Sequence, residues 1–152
     1  MKGLIIVCCL LVCVGAFAQA ENELFGKSKG TLTSGLKYGI RLKTDNIDAA
    51  IRPKATTYIT YSADSARAVF EGTVAEIVEV PNHQDNYIVT VTYGDYTVSY
   101  AFLRKPIVAA GAVVKRDQSL GALAPVPMGP YYFMIQIYKG DEEIDTLDWF
   151  QK

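Results

Sequence analysis

Cysteine and histidine are scarce in this sequence of 152 residues, and their positions exclude several kinds of chemistry. The three cysteines are Cys8, Cys9 and Cys13, all inside an apolar N-terminal run, and the single histidine is His83. If this run is cleaved off during export, no cysteine remains for a disulfide, a thiolate zinc site or a nucleophile. One histidine in the polar loop 82–85 favours a solvated side chain over a zinc hydrolase, which needs two or three protein ligands.

The sequence also lacks a strong charge of either sign and the common catalytic motifs. Lys and Arg total 15 against 16 Asp and Glu, so there is no basic excess of the kind that nucleic-acid binding requires. No Gly-rich phosphate loop is present, and no nucleophile elbow surrounds any serine. The acidic residues at 141–145 follow Lys139 and Gly140, which is typical of a solvated hairpin turn rather than a calcium site.

Residues 1–20, MKGLIIVCCLLVCVGAFAQA, have the features of a secretory signal peptide. Lys2 is the only charge, an apolar run follows, and the small-x-small sequence AQA predicts cleavage between Ala20 and Glu21. The protein is therefore expected to be exported, to the periplasm or the medium, and not to span a membrane after cleavage. Two alternatives stay open. The run could be retained as a membrane anchor, although it is short for a membrane span. Cys13 could be lipid-modified, although the preceding residue, Val12, is unfavourable for that modification.

Strand patterns dominate the rest of the chain. The clearest, NYIVTVTYGDYTVSYAFL at 86–103, alternates on both sides of Gly94 and Asp95 and predicts a hairpin with a two-residue II′ turn. That turn sets a register with one apolar, core-facing side and one side rich in hydroxyls. The predicted core-side pairs are Tyr93 with Tyr96, Val91 with Val98, Val89 with Tyr100, and Tyr87 with Phe102.

No amphipathic helix of normal length is present, so an all-β fold is expected. The predicted division is a signal peptide at 1–20, a lead-in and entry strand at 21–50, and one β domain at 51–152. We expect that domain to be a compact antiparallel β-sandwich or a partly open barrel. Further strands are predicted at 56–62 and at 131–138, the latter before a turn at 139–141. The segment 67–80 is predicted to form two strands about Gly72 or one strand with a bulge there.

Several short motifs, in order along the chain, resemble those of the lysostaphin-type, LytM-like zinc endopeptidases. The resembling segments are AVFEGTV at 68–74 (A-x-x-D-G-x-V), YAFL at 100–103 (Y-A-H-L), VAAGAVVKRDQSLG at 108–121 (V-x-x-G-x-x-V-x-x-G-Q-x-I-G), 129–140 (the G-P-H-L-H-F-E-I-R strand) and LDW at 147–149 (the P-x-x-W element). The set covers 68–150 and implies the fold of the LytM-like domain, the duplicated hybrid motif.

The zinc chemistry of that family does not carry over to this chain. The family holds zinc with an H-x-x-x-D pair and the last His of H-x-H, and uses the first His of H-x-H and the His of Y-A-H-L in catalysis. The corresponding positions here are Thr56 and Thr60, Met134, Tyr132 and Phe102. None of these is a normal zinc ligand or proton shuttle, so the sequence predicts a degenerate member without zinc that is not an enzyme.

The resemblance implies a binding role in the cell envelope. Degenerate LytM-like domains include envelope regulators, among them activators of peptidoglycan amidases. We expect a groove lined by Tyr58, Phe102, Tyr131 and Tyr132 that binds peptidoglycan or a segment of an envelope protein. Two alternatives stay open: an active peptidoglycan metalloendopeptidase with non-standard ligands, and a purely structural exported domain.

Overall fold

The computed structural model describes residues 35–36, 40–41, 43, 47–48, 50, 53–146 and 149–150. Its regular elements are all β-strands: β1 (Ile40–Arg41), β2 (Thr56–Thr60), β3 (Ser65–Arg67), β4 (Gly72–Glu79), β5 (Tyr87–Tyr93), β6 (Tyr96–Pro106), β7 (Val113–Val114), β8 (Ser119–Leu123), β9 (Tyr131–Lys139) and β10 (Glu142–Ile144). The predicted signal peptide with Ala20 and Glu21, the alternative lipid site Cys13 and most of the lead-in lie outside the described residues. In the part that is described, no helix is long and apolar enough to cross a membrane.

The strands form one antiparallel sheet that does not close into a barrel. Its order is β1-β2-β9-β6-β5-β4-β7, with β10 also paired to β9, and with β8 joining β3 to β6. All the described pairings are antiparallel. This confirms the predicted all-β, antiparallel class.

The β5–β6 hairpin has the predicted turn and most of the predicted register. Gly94 adopts φ +54°, as the first of the two central residues of a II′ turn requires. The pairs found as predicted are Tyr93 with Tyr96, Val91 with Val98, and Val89 with Tyr100. Their side chains lie on the core side, where Val89 and Tyr100 are fully buried.

The register of this hairpin changes at Phe102. Tyr87 pairs with Leu103, so the predicted pairing of Tyr87 with Phe102 is wrong. The reason is a β-bulge: β6 uses one more residue than β5 between Val89 and Tyr87, and Phe102 takes φ +67°. Leu103 is fully buried and Phe102 is only half-buried. The expectation that the Phe102 ring lies on the core face is therefore also wrong.

Because of the bulge, β6 pairs with a different strand before and after Phe102. Before Phe102, Tyr96 to Ala101 pair with β9, and after it Leu103 to Pro106 pair with β8. The core lies behind this bend, where the Tyr100 and Phe133 rings stack with centroids 6.1 Å apart. Strand β6 thus connects the part of the sheet that contains β9 with the part that contains β8.

Other predicted strands are present with small shifts of their ends. β2 (Thr56–Thr60) matches the strand predicted at 56–62, and β9 and β10 form the predicted hairpin, with Gly140 at φ +57°. In the segment 67–80, β4 begins at Gly72 and residues 68–71 are irregular, so the strand predicted before Gly72 is wrong except for Arg67 at the end of β3. A Cβ at Gly72 would lie 2.8 Å from Val91 Cγ1, so glycine there allows β4 to approach β5 closely.

Candidate functional site

Strand β9 carries two different faces. Phe133, Ile135 and Ile137 are fully buried, whereas Tyr132 and Met134 alternate with them and are half-buried on the other face. Residues directly opposite each other in a sheet share a face, so this side can be followed across the neighbouring strands. We call it the outer face of β9.

Three strands contribute to the outer face of β9. Thr57 of β2 and Ala101 of β6 pair with Met134 from its two sides. Ile59 of β2 pairs with Tyr132. A methionine, two aliphatic side chains and an aromatic ring therefore meet at this part of the sheet, with a threonine at its edge.

The Phe102 ring contacts the Tyr132 ring on this face. Their centroids are 6.1 Å apart and their planes are inclined by 50°, within the range of favourable aromatic pairs. The left-handed backbone at Phe102 accounts for the contact, because the bulge turns this side chain away from the core that Leu103 enters. The two positions that the sequence resemblance assigns to catalytic histidines are thus neighbours in space.

Thr56 and Thr60, assigned to the zinc-binding pair, lie on the opposite face. Their exposed fractions are 6% and 2%, and they pair with Ile135 and Tyr131 of β9. The residue of β2 beside Met134 is Thr57. The three positions assigned to zinc ligands are therefore not brought together in the structure.

The hydroxyls of both threonines have structural partners. The Thr56 and Thr146 Oγ1 atoms are 2.6 Å apart, and the Thr146 hydroxyl donates to the Lys54 carbonyl at 2.7 Å. Since a hydroxyl has one hydrogen to donate, the Thr56 hydroxyl donates to Thr146. Thr60 exchanges hydrogen bonds with the Ser62 backbone, as acceptor at 3.2 Å and donor at 3.3 Å. These contacts hold chain segments in place.

The residues at the family's ligand positions do not fit a zinc ion. Met134 offers a thioether, and Thr57 beside it a neutral hydroxyl, whereas zinc in proteins binds imidazole, thiolate and carboxylate groups. Over the described ranges, no three His, Cys, Asp or Glu side chains are grouped so that they could hold a metal. His83 is exposed in the β4–β5 loop, where its backbone N–H donates to the Val80 carbonyl at 3.1 Å.

The four predicted groove residues fall in different places. Phe102 and Tyr132 meet on the outer face of β9. Tyr58 is only 3% exposed and packs edge-to-face against Phe150, with centroids 5.9 Å apart, so it does not line a surface groove. Tyr131 packs against the core from its margin. The period of two explains this division, because Tyr58 alternates with the outer-face residues of its strand.

Sequence reasoning missed two members of the outer face, Thr57 and Ile59. The sequence of β2 is TTYIT. One set of alternate residues is Thr, Tyr and Thr, and the other is Thr and Ile. Each set contains polar and apolar groups, so the alternation does not reveal which set faces the core. The pairing with β9 decides it, since Phe133 opposes Tyr58 and Tyr132 opposes Ile59.

No protein-family model matches the sequence, and no curated protein matches it by sequence comparison. Solved structures do match the fold. Csd3 of Helicobacter pylori has a TM-score of 0.63 at 17% identity, over 82% of this chain and 36% of its own. A putative M23 peptidase of Pseudomonas aeruginosa has a TM-score of 0.61 at 16% identity, over 85% of this chain and 59% of its own. A chain of the SpoIIQ–SpoIIIAH pore-forming complex has a TM-score of 0.61 at 17% identity, over 82% of this chain and 93% of its own.

These likenesses establish that the chain has the fold of the LytM-like, M23-type peptidases. The chain spans about a third of Csd3 and under two thirds of the Pseudomonas protein. The resemblance drawn from the sequence motifs is confirmed for the fold. At these identities the likeness extends to the fold alone.

Proposed function

We propose that this chain is an exported, non-catalytic LytM-like module of the cell envelope. It binds peptidoglycan or a segment of an envelope protein through the part of the outer face of β9 around Phe102 and Tyr132, near the start of the strand. Phe102 and Tyr132 are the centre of that surface, flanked by Met134 and Ile59. Apolar and aromatic groups that are half-exposed in this way are common in ligand sites and interfaces.

The main observation that supports the proposal is the contact between the Phe102 and Tyr132 rings. Two aromatic rings stand at adjoining positions that correspond, by the motif resemblance, to catalytic histidines. Phe102 reaches this place only through a left-handed backbone, at φ +67°, which is uncommon for a bulky residue. Strained backbone of this kind concentrates at functional positions, which supports a role for the outward-facing ring.

The proposal of a binding role has support from the solved structures. One chain with this fold belongs to a complex of two different proteins, SpoIIQ and SpoIIIAH. A domain of this architecture can therefore present a surface to a protein partner. Another is described as a zinc-containing peptidase of Vibrio cholerae.

The alternative, an active metalloendopeptidase with non-standard ligands, conflicts with the chemistry of the residues on the outer face. Zinc hydrolysis needs ligands that hold the ion and leave one position for water. Met134, Thr57 and Tyr132 supply a thioether, a neutral hydroxyl and a phenol. Neither Thr56 nor Thr60 can assist, because both point to the buried side of β2.

Co-sedimentation with purified peptidoglycan, followed by a pull-down from envelope extract, tests the proposal. The variants are wild type, Phe102→Ala combined with Tyr132→Ala, and Tyr138→Ala. Tyr138 is a matched control, since it is also a half-buried tyrosine on the same face of β9, six positions along the strand. We expect wild type and Tyr138→Ala to retain the same ligand and the double variant to lose it.

Equal binding by all three proteins would contradict the proposed surface. Fragments released from peptidoglycan by the wild type in the presence of zinc, and not in the presence of a chelator, would contradict the non-catalytic role. Circular dichroism of each variant separates loss of binding from loss of folding.

A further inference from the structure

A second surface lies where β6 pairs with β8, after the bulge at Phe102. It is formed by the exposed side of β3, β8 and the end of β6. It is a cleft of about 430 Å³, within the size range of small-ligand sites. The lining residues are Ser65, Arg104, Lys105, Ile107, Ser119, Gly121 and Ala122. The floor is made of small side chains, and two cations and an exposed isoleucine stand at one side.

The cations reach the same cleft because β6 contains a second bulge. Consecutive side chains of a regular strand point to opposite faces, yet Arg104 and Lys105 both line this cleft. The register between β6 and β8 shifts between Arg104 and Pro106, and Lys105 adopts φ +47°. A bulge of this kind re-aims a side chain, and here it places two positive charges side by side.

Gly121 of β8 allows this bulge to form. A Cβ at this position would lie 3.0 Å from Pro106 Cα and 3.2 Å from the Lys105 carbonyl oxygen. Both are backbone atoms, so they could not move aside without shifting β6. The absence of a side chain at Gly121 therefore lets the bulged segment of β6 approach β8. This close approach brings Lys105 and Gly121 together at the cleft.

The charges of this cleft are not neutralised within the described part of the chain. Neither Arg104 nor Lys105 forms an ion pair with a described residue, and both are exposed. Arg67 of β3 is a third exposed cation, opposite the lining residue Ser119. One carboxylate adjoins the lining: Asp64 precedes Ser65 and accepts a hydrogen bond from its N–H at 2.8 Å.

An exposed aliphatic side chain completes the site. Ile107 is 70% exposed, although its backbone is fixed by a hydrogen bond from its N–H to the Leu120 carbonyl at 2.9 Å. The cleft therefore offers an apolar contact at Ile107, whose backbone is anchored, and two charge-assisted hydrogen-bond donors at Arg104 and Lys105.

We propose that this cleft docks an acidic peptide segment of a partner protein. One or two carboxylates of the segment pair with Arg104 and Lys105, and a neighbouring aliphatic side chain packs on Ile107 and Ala122. A phosphate group alone would use the cations but not the aliphatic side chains of Ile107 and Ala122, which favours a peptide. This inference is independent of the function proposed for the outer face of β9.

Fluorescence anisotropy of the purified chain with a labelled peptide, GELDIEG, tests the inference. Both peptides are amidated at the C-terminus, and the control is GQLNIQG, which has nearly the same shape without side-chain carboxylates. The protein variant is Arg104→Gln with Lys105→Gln, matched by Lys115→Gln with Arg116→Gln, which removes equal charge from exposed residues outside the cleft. We expect roughly a tenfold weaker Kd for the first variant, and a change of less than about twofold for the second.

Three results would overturn the inference. The first is equal weakening by both double variants, or no difference between the two peptides, since either shows non-specific attraction. The second is displacement of the peptide by inorganic phosphate at low millimolar concentration, which assigns the cleft to phosphate. The third is binding of vesicles of anionic phospholipid that depends on Arg104 and Lys105 when the peptide does not bind.

Discussion

The Tyr100 hydroxyl accepts a hydrogen bond from the Val69 backbone N–H at 3.0 Å, with both residues almost completely buried. Tyr100 belongs to the long strand β6, and Val69 to the irregular segment before β4. The bond therefore attaches an irregular segment to the centre of the sheet. It also satisfies a backbone donor that has no access to water.

Tyr100→Phe should destabilise the protein by about 1–3 kcal/mol, because the Val69 N–H would remain buried without a partner. Tyr58→Phe is the matched control. The Tyr58 hydroxyl is also buried but has no hydrogen-bond partner among the described residues, so its loss should change stability by less than about 0.5 kcal/mol or increase it. Urea unfolding measures both. Equal losses would show that the Tyr100 hydrogen bond contributes nothing specific.

Stability should fall at alkaline pH because of the same two tyrosines. Burial raises the pKa of Tyr100 and of Tyr58 above the ordinary value of 10.0, and for Tyr58 the charge of Arg41 partly opposes the rise. The unfolded chain then ionises these phenols first. Their contribution is complete below about pH 10 and decreases as the pH rises toward the folded-state pKa.

The midpoint of urea unfolding at pH 8 and at pH 10.5 checks this expectation. Tyr100→Phe should show a smaller decrease between the two pH values than the wild type. A wild-type midpoint that is unchanged, or a variant that decreases just as much, would contradict the assignment.

Glycine at position 102 should be tolerated better than alanine, the reverse of the usual order in strands. The left-handed φ of +67° costs alanine roughly 1–2 kcal/mol but costs glycine little. Phe102→Gly and Phe102→Ala remove the same half-buried ring, so their difference reports the backbone. The measurement is the free energy of unfolding of the two variants. A less stable glycine variant would mean that Phe102 does not adopt this conformation.

Gly72→Ala should destabilise the protein by more than about 2 kcal/mol. The new Cβ would collide with the Thr92 carbonyl and with Val91 Cγ1, and β4 would have to move away from β5. Gly129→Ala is the control, because the new Cβ there would be in ordinary contact, 3.4 Å from Val126 Cγ1. Thermal unfolding of both variants checks the difference, and similar melting temperatures would contradict the close approach at Gly72.

Local turn chemistry made the centre of the sheet predictable. Gly94 and Asp95 fix the turn, and a two-residue turn determines which residues face each other over the next few pairs. The prediction failed at Phe102, where a bulge adds a residue. The alternation YAFL gives no reason to place Leu103 rather than Phe102 in the core, and only the contacts with β8 and β9 decide it.

For the candidate site, the sequence supplied motifs rather than turn chemistry. The motif resemblance pointed to Phe102 and Tyr132 because YAFL and the β9 strand have recognisable flanking residues, and the structure places these two rings in contact. It placed Thr56 and Thr60 on a face that the structure shows to be buried. A shift of one position in a strand moves a side chain to the other face, and nothing local in TTYIT defines that position.

The central claim is that the residues at the family's zinc-binding and catalytic positions hold no metal, which leaves a binding role for the outer face of β9. The most direct test is the zinc content of the purified chain, prepared without chelators or a His tag and read by elemental mass spectrometry. We expect a value near zero zinc ions per chain. A value near one would contradict it, and would make His83 the first residue to substitute.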